Sequence, residues 1–460
     1  MVVMVRHFSK SLKLLVFGIL FILNVPAIRG EVINKNVDRI LDLSTQLTKE
    51  TLKITAADDA GKPFSKYQLI IPNELHSSLS YIVAKDPKKK ELKLQAQQQK
   101  DDVTYYNVEF PKAAATQELL VELVFVKQLQ PYPEEIKQSD KQLVRYNGQL
   151  YFYTPYKTGE QKTQVVLSSS NIIAYNQTKP YTVTGSKIKY GPYENVAAFN
   201  KEKLYVHYEN QSPFMTVNRL ERTIQISHWG NIAVEEHIQL THSGAKLKGS
   251  FSRYEFQKDS RSGQAAIKSY KTMLPASAFG VYYRDSNGNI STSNMNVLRE
   301  YVDLELRPRF PLFGGWKTQY TIGYNMPSFE YLFSEGSNYL LKMRLIDHIF
   351  DDMFIEEAVV KIILPEGCTD IKLKTPYPVE RQEDGLTHTY LDTFGRPTIT
   401  FAKKNVVENH IANFELTYTF SKVLLLQEPL LLISFVFLIF VVAIVCKRLD
   451  FSIATHPHKD

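Results

Sequence analysis

From Leu430 to Cys446 the chain runs for 17 residues without a charge and with one hydroxyl, at Ser434. No other stretch restricts the fold as tightly. As a helix it would rise about 1.5 Å per residue and reach roughly 25 Å. That length suits the thinner bilayer of the endoplasmic reticulum, whose hydrocarbon is about 27 Å thick. A helix apolar on every face is predicted to cross a membrane rather than to lie in a protein core. Glu428-Pro429 mark one edge of it, and Lys447-Arg448 follow the other directly. Basic residues flank spans on the cytosolic side. The bulk of the chain is therefore predicted to stand on the opposite, lumenal side.

The N-terminus supports that orientation. Arg6, Lys10 and Lys13 precede an uncharged stretch from Leu14 to Val25, and Pro26 and Ala27-Ile28-Arg29-Gly30 follow. This is the order of a secretory signal peptide. Cleavage is predicted after Gly30, and the short apolar stretch and Pro26 argue against a retained anchor. Residues 31–429 would then be lumenal and 447–460 cytosolic, a type I topology. Asn176-Gln177-Thr178, Asn210-Gln211-Ser212 and Asn289-Ile290-Ser291 are sequons on the lumenal side. Pro213 directly follows the second, which predicts poor use of Asn210.

Composition excludes some classes. Apolar residues make up 44% and charged residues 22%, a globular balance rather than a disordered one. A net charge of +7 over 460 residues is too mild to indicate nucleic acid. The densest basic run, Asp86-Pro87-Lys88-Lys89-Lys90, reads as a solvated loop. The two cysteines, Cys368 and Cys446, would lie on either side of a membrane boundary. The fold must therefore rest on buried cores rather than disulfides, and a structural zinc site has no motif to support it.

The region before the span reads as strands, helped by 27 Tyr and 26 Phe. Period-2 alternation runs through Leu119–Phe125, Val302–Leu306 and Phe414–Phe420. Ile224 and Ile226, then Ile232 and Val234, flank Trp229-Gly230-Asn231 as a hairpin. Leu69-Ile70-Ile71-Pro72 and Ile362-Ile363-Leu364-Pro365 read as buried strands that a proline ends. Val37-Asp38-Arg39 with Ser44, and Leu220-Glu221-Arg222 with Ser227, form a weak echo. The expected class is mainly β. Two lumenal β-sandwich-like domains, 31–218 and 219–429, would precede one transmembrane helix, 430–446.

No nucleophile elbow, P-loop or dinucleotide fingerprint is present. His228, His237 and His242 lie near Glu235 and Glu236, and they read as strand-surface histidines rather than metal ligands. Leu340–Glu357 reads as a helix, with Asp347, His348, Asp351 and Asp352 on a solvated face. The stretch Arg307-Pro-Arg-Phe-Pro-Leu-Phe-Gly-Gly-Trp316 is unusual. Phe310, Phe313 and Trp316 could meet a partner or lipid headgroups, or could fill a wide connection between sheets. No catalytic, cofactor or metal residue is expected.

Three stretches resemble the ribophorin I family: Ser227–Glu236, Arg307–Lys317 and Tyr390–Pro397. So do Leu426–Leu430 entering the span and Arg448–Ile453 leaving it. The likeness covers most of 220–453, and 31–219 matches in architecture more than in words. The resemblance implies a non-catalytic subunit of the oligosaccharyltransferase complex of the endoplasmic reticulum. That complex moves a preassembled glycan from dolichol diphosphate to Asn in Asn-x-Ser/Thr of nascent chains. Implied partners are the other subunits, including a multi-span catalytic one, nascent polypeptides, the translocon and the membrane. Longer members carry a cytosolic extension linked to the ribosome. Here 14 residues follow the span, so ribosome docking is not carried over. The rival readings are a lumenal lectin- or chaperone-like receptor for glycoproteins and a membrane-tethered hydrolase.

Overall fold

The computed structural model describes residues 31–96, 103–258, 265–389 and 391–449. The predicted signal peptide and the tail from residue 450 lie outside them. The rest is mainly β, as expected, and closes with the helix Gln427–Arg448.

Two large sheets organise the chain. In the first half the strands are β1 (Val32–Leu43), β2 (Thr48–Asp58), β3 (Leu79–Lys85), β4 (Thr116–Phe125), β5 (Thr158–Leu167), β6 (Tyr181–Thr184) and β7 (Lys187–Val196). Their order is β6-β7-β5-β1-β2-β4-β3. In the second half they are β8 (Met215–Ser227), β9 (Asn231–His242), β10 (Phe279–Asp285), β11 (Lys317–Pro327), β12 (Phe354–Ile363), β13 (Glu380–Arg381) and β14 (Arg396–Val407). Their order is β13-β14-β12-β8-β9-β11-β10. Each of these seven strands takes the place of its counterpart seven labels earlier, and the second sheet adds two short strands, Gly288–Asn289 beside β10 and Gly385–Thr387 beside β14. Even the one parallel neighbour repeats, β5 beside β1 and β12 beside β8.

The smaller sheets repeat as well. Phe64–Pro72, Val103–Ala114 and Lys93–Ala96 pair in the order that Tyr270–Pro275, Tyr301–Leu306 and Asn294–Val297 do. Ile172–Tyr175, Lys203–Glu209, Leu143–Gln149 and Leu129–Pro131 match Thr369–Lys374, Asn413–Thr419, Asn338–Arg344 and Leu332–Glu335. The echo around Arg39 and Arg222 thus sits at equivalent places in one topology used twice. Residues 210–214 join the halves, and β8 already begins at Met215. A division at 218/219 would cut that strand.

Side-chain alternation explains the layers. Val37, Arg39, Leu41 and Leu43 of β1 share one face and are all buried. Val37 packs with Leu69 and Val108 of the three-stranded sheet. Leu41 and Leu43 pack with Val144 and Val206 of the four-stranded one. Two small sheets therefore cover one face of the large sheet, and Arg39 lies between the two clusters. The second half repeats this as one continuous core from Leu220 and Ile224 to Leu304 and Leu416. Each such Leu or Ile gains about 1.5–3 kcal/mol on burial.

The expected helix over Leu340–Glu357 is not formed. Asn338–Arg344 and Phe354–Ile363 are strands, and the segment between them is a buried connection. Its backbone is satisfied by tertiary partners: Leu345 N–H donates to Ala412 and the His348 carbonyl accepts from Met273. Asp347 is fully buried rather than solvated.

The halves are joined by more than the linker. Leu47, Val124 and Val126 form one cluster with Phe354 and Val407. Gln46 donates to the Asp352 carbonyl at 2.7 Å, and Lys49 pairs with the Asp352 carboxylate. Ser80 donates to the Asn405 carbonyl at 2.6 Å, and Glu135–Ile136 pairs in parallel with Lys246–Leu247.

Candidate functional site

The junction between the second half and the apolar helix is built from its own polar groups. Glu366 lies just past the end of β12. Its Oε1 accepts the backbone N–H groups of Thr393 and Gly395, each at 2.9 Å, and that of Phe394 between them. Its Oε2 accepts from the side chain of Gln427, the first helical residue, at 2.8 Å. Gln427 also donates to the Thr393 hydroxyl at 2.9 Å. Arg396 reaches Glu428 at 2.9 Å and Asp392 at 3.0 Å. These contacts fasten the helix start to the loop before β14. The helix then runs unburied to Lys447 and Arg448, long and apolar enough to cross a membrane.

A cleft beside the clamp is lined by Ser227, His228, Trp229, Glu366, Arg396 and Leu424, and by Gln427 and Glu428 of the helix. His228 stacks on Phe420 with ring centroids 4.3 Å apart, and its Nε2 lies 3.1 Å from the Tyr418 hydroxyl. Burial pushes its imidazole down to about 4. Of the histidines expected on strand surfaces, His237 faces outward beside Glu235 at 3.0 Å, whereas His242 is buried in the core because it shares the inward parity of β9.

The aromatic loop lies elsewhere. It leads into Lys317, which pairs with Thr241, whereas Pro327 at the far end of β11 pairs with Asn231 beside the membrane junction. Eleven strand residues span about 35 Å. The loop thus sits at the opposite end of β11 from the start of the helix. Phe313 is 5% exposed and Trp316 packs against the core, while Phe310 stays 44% exposed. Gly314 explains the tight seat, since a Cβ there would stand 1.8 Å from the Ala245 carbonyl oxygen. Phe251 completes the cluster, 5.5 Å from Phe313 and 5.8 Å from Trp316.

The sequons differ in access. Asn210 is fully buried, and its amide donates to the Thr45 carbonyl at 3.3 Å. The Asn176 amide is partly covered and donates to the Lys203 carbonyl at 3.3 Å. Asn289 is exposed on a short edge strand that pairs with β10.

Against known proteins, the family model for ribophorin I matches residues 32–447, both halves and the helix together. The chain belongs to the ribophorin I family. A Caenorhabditis elegans relative, named dolichyl-diphosphooligosaccharide--protein glycosyltransferase subunit 1, is 42% identical over 92% of this chain and 74% of its own. Two Arabidopsis thaliana proteins carry the same name as subunits 1A and 1B. Subunit 1A is 34% identical over 94% of this chain and 72% of its own. Subunit 1B is 36% identical over 91% of this chain and 93% of its own. Native yeast LTA4 hydrolase is similar over 42% of this chain and 31% of its own at 9% identity. Its TM-score of 0.24 is too low to bear on the fold.

Within this ribophorin I member, sequence reasoning missed Glu366, Arg396 and Gln427 as an anchoring set. Their only signal was position, since Gln427 and Glu428 stand at the edge of the span and Arg396 inside the Tyr390–Pro397 stretch.

Proposed function

We propose that this chain is a non-catalytic subunit of the endoplasmic reticulum oligosaccharyltransferase complex. Its β-rich halves face the lumen, and Lys447 and Arg448 face the cytosol. The active site belongs to another, multi-span subunit, and this chain braces the complex and holds extended substrate near that site. The observation that carries this reading is the family match running unbroken from residue 32 to 447, with relatives named as subunit 1 of the transferase. The clamp at Gln427 supports the bracing role, because it fixes the second half to the helix.

Substrate holding rests on an open edge. Among the described residues Asn294–Val297 pairs on one side only, and Met295 and Val297 are exposed on it. An extended chain can add there as a further strand. Phe310 offers a second contact, and nascent chains arriving from the translocon are the natural occupants. Native purification with mass spectrometry tests the assignment. Recovery with the multi-span transferase supports it. Recovery alone, with glycan affinity, overturns it in favour of a lectin-like receptor. Met295→Pro, with the complex intact, should lower sequon occupancy in client proteins. Unchanged occupancy removes the edge from substrate binding.

A further inference from the structure

Trp229, Phe329 and Phe394 are large aromatic residues left bare in three separate turns. They are 65%, 76% and 76% exposed. Sheet register places the three turns together. Trp229 sits in the hairpin between β8 and β9, with Ser227 paired to Asn231. Phe329 follows Pro327, which pairs with that same Asn231, and Ser328 N–H donates to the Gly230 carbonyl at 3.1 Å. Phe394 precedes β14, whose Thr398 pairs with Ile363, and Ile363 pairs with Gln225 of β8. All three rings therefore lie at one end of the large sheet. It is the end at which the apolar helix begins, since Trp229 lines the same cleft as Gln427 and Glu428.

The surrounding polar groups do not stand in the way. Glu366 is occupied by three backbone N–H groups and by Gln427, and Arg396 is paired with Glu428 and Asp392. Exposed aromatic rings beside a membrane helix belong to the headgroup layer, where an apolar body and, for Trp, a polar N–H are both satisfied. The Glu366 loop is shaped to present one of them, because its three N–H groups turn inward and Phe394 turns out.

We infer that Trp229, Phe329 and Phe394 seat the second half on the bilayer surface from which the helix emerges, as a three-point aromatic contact with lipid headgroups. The inference rests on reading Gln427–Arg448 as a membrane span. A single helix leaves a domain free to swing and spin. Three further points on the same surface fix both angles.

The chain has two tryptophans, so Trp316→Phe leaves Trp229 as the one reporter. The full chain is reconstituted in phosphatidylcholine vesicles brominated either high on the acyl chain or near its end. The expected result is strong loss of Trp229 emission with shallow bromine and weak loss with deep bromine. Alkaline carbonate extraction of the same vesicles checks the span. Retention without quenching overturns the seating alone, and release overturns the span and the seating together. In native membranes, a photoreactive phenylalanine analogue at position 394 should form lipid adducts, whereas the same analogue at position 310 should not. Adducts from position 394 to another protein and none to lipid would overturn the inference in favour of a subunit contact.

Discussion

The guanidinium of Arg222 stands 2.7 Å from the Asp347 carboxylate, and solvent reaches neither side chain. The same nitrogen also pairs with Glu236, and the Tyr324 hydroxyl donates to Asp347. One cation thus serves two carboxylates inside the second core. Burial pushes the Glu236 carboxyl up to about 7, against the pull of Arg222. Arg222→Met would strand two acids in an apolar medium. The expected cost is about 3–5 kcal/mol, read as a lower denaturation midpoint of the purified full chain. Replacing all three charges with apolar residues should recover much of that loss.

Acid should weaken the second half. Burial holds the imidazoles of His242 and His410 down to about 4, and a nearby Lys403 adds to the effect at His410. Their folded values lie below the unfolded value near 6.5, so the unfolded chain binds more protons in between. This stability is complete above about pH 6.5 and is lost as pH falls toward about 4, by roughly 3 kcal/mol at His242. Glu236 works with the opposite sign, losing stability as pH rises from about 4.5 to about 7. The imidazoles, with His228 among them, outnumber it. Melting curves of the full chain should therefore shift down between pH 6.5 and 4. His242→Asn keeps an acceptor for the Gly244 N–H and should flatten that slope.

Sequon use should follow access. Asn289→Gln should raise gel mobility by the mass of one glycan, and peptide mass spectrometry should find that glycan on the native chain. Asn210→Gln should leave mobility unchanged. The fold gives Asn210 a reason beyond the proline that follows it. A glycan there would have to replace the buried bond to Thr45.

The membrane clamp predicts a local effect. Glu366→Ala removes the shared acceptor of three consecutive N–H groups, each bond worth about 1 kcal/mol. Hydrogen exchange at Thr393, Phe394 and Gly395 should speed up, while exchange in β8 and β9 stays slow. Equal acceleration everywhere would make Glu366 a global stabiliser instead.

Much of this design was legible in the residues. Alternation at Leu119–Phe125 and Val302–Leu306 became β4 and the strand Tyr301–Leu306, because period 2 is what a half-buried sheet imposes. The echo of Arg39 and Arg222 pointed to equivalent strands, and each arginine pairs with a glutamate of the next strand. The segment after Arg344 was misread for a physical reason. Ile346, Ile349, Phe350 and Met353 have helical spacing, yet all four are buried because the connection runs between sheets. Along this connection only Asp351 is exposed and Asp352 half-buried, too little of a polar face by which to judge the period. For Phe313 and Trp316 the residues allow a partner contact or an interior seat, since sequence shows that a ring is available but not which way it turns. Trp229 and Phe394 lie far apart in sequence, and only the register of β8, β12 and β14 reveals that they share one end of the sheet.

The shared cluster of Leu47, Val124 and Val126 with Phe354 and Val407 makes the two halves one stiff lever. Any lean at its foot is magnified with distance from the bilayer. A span that tilts to match a thinner or thicker membrane would swing the outermost strands sideways, and under the proposed seating the rings of Trp229, Phe329 and Phe394 oppose that swing. The heading of the distal half then depends on three side chains at the foot of the lever.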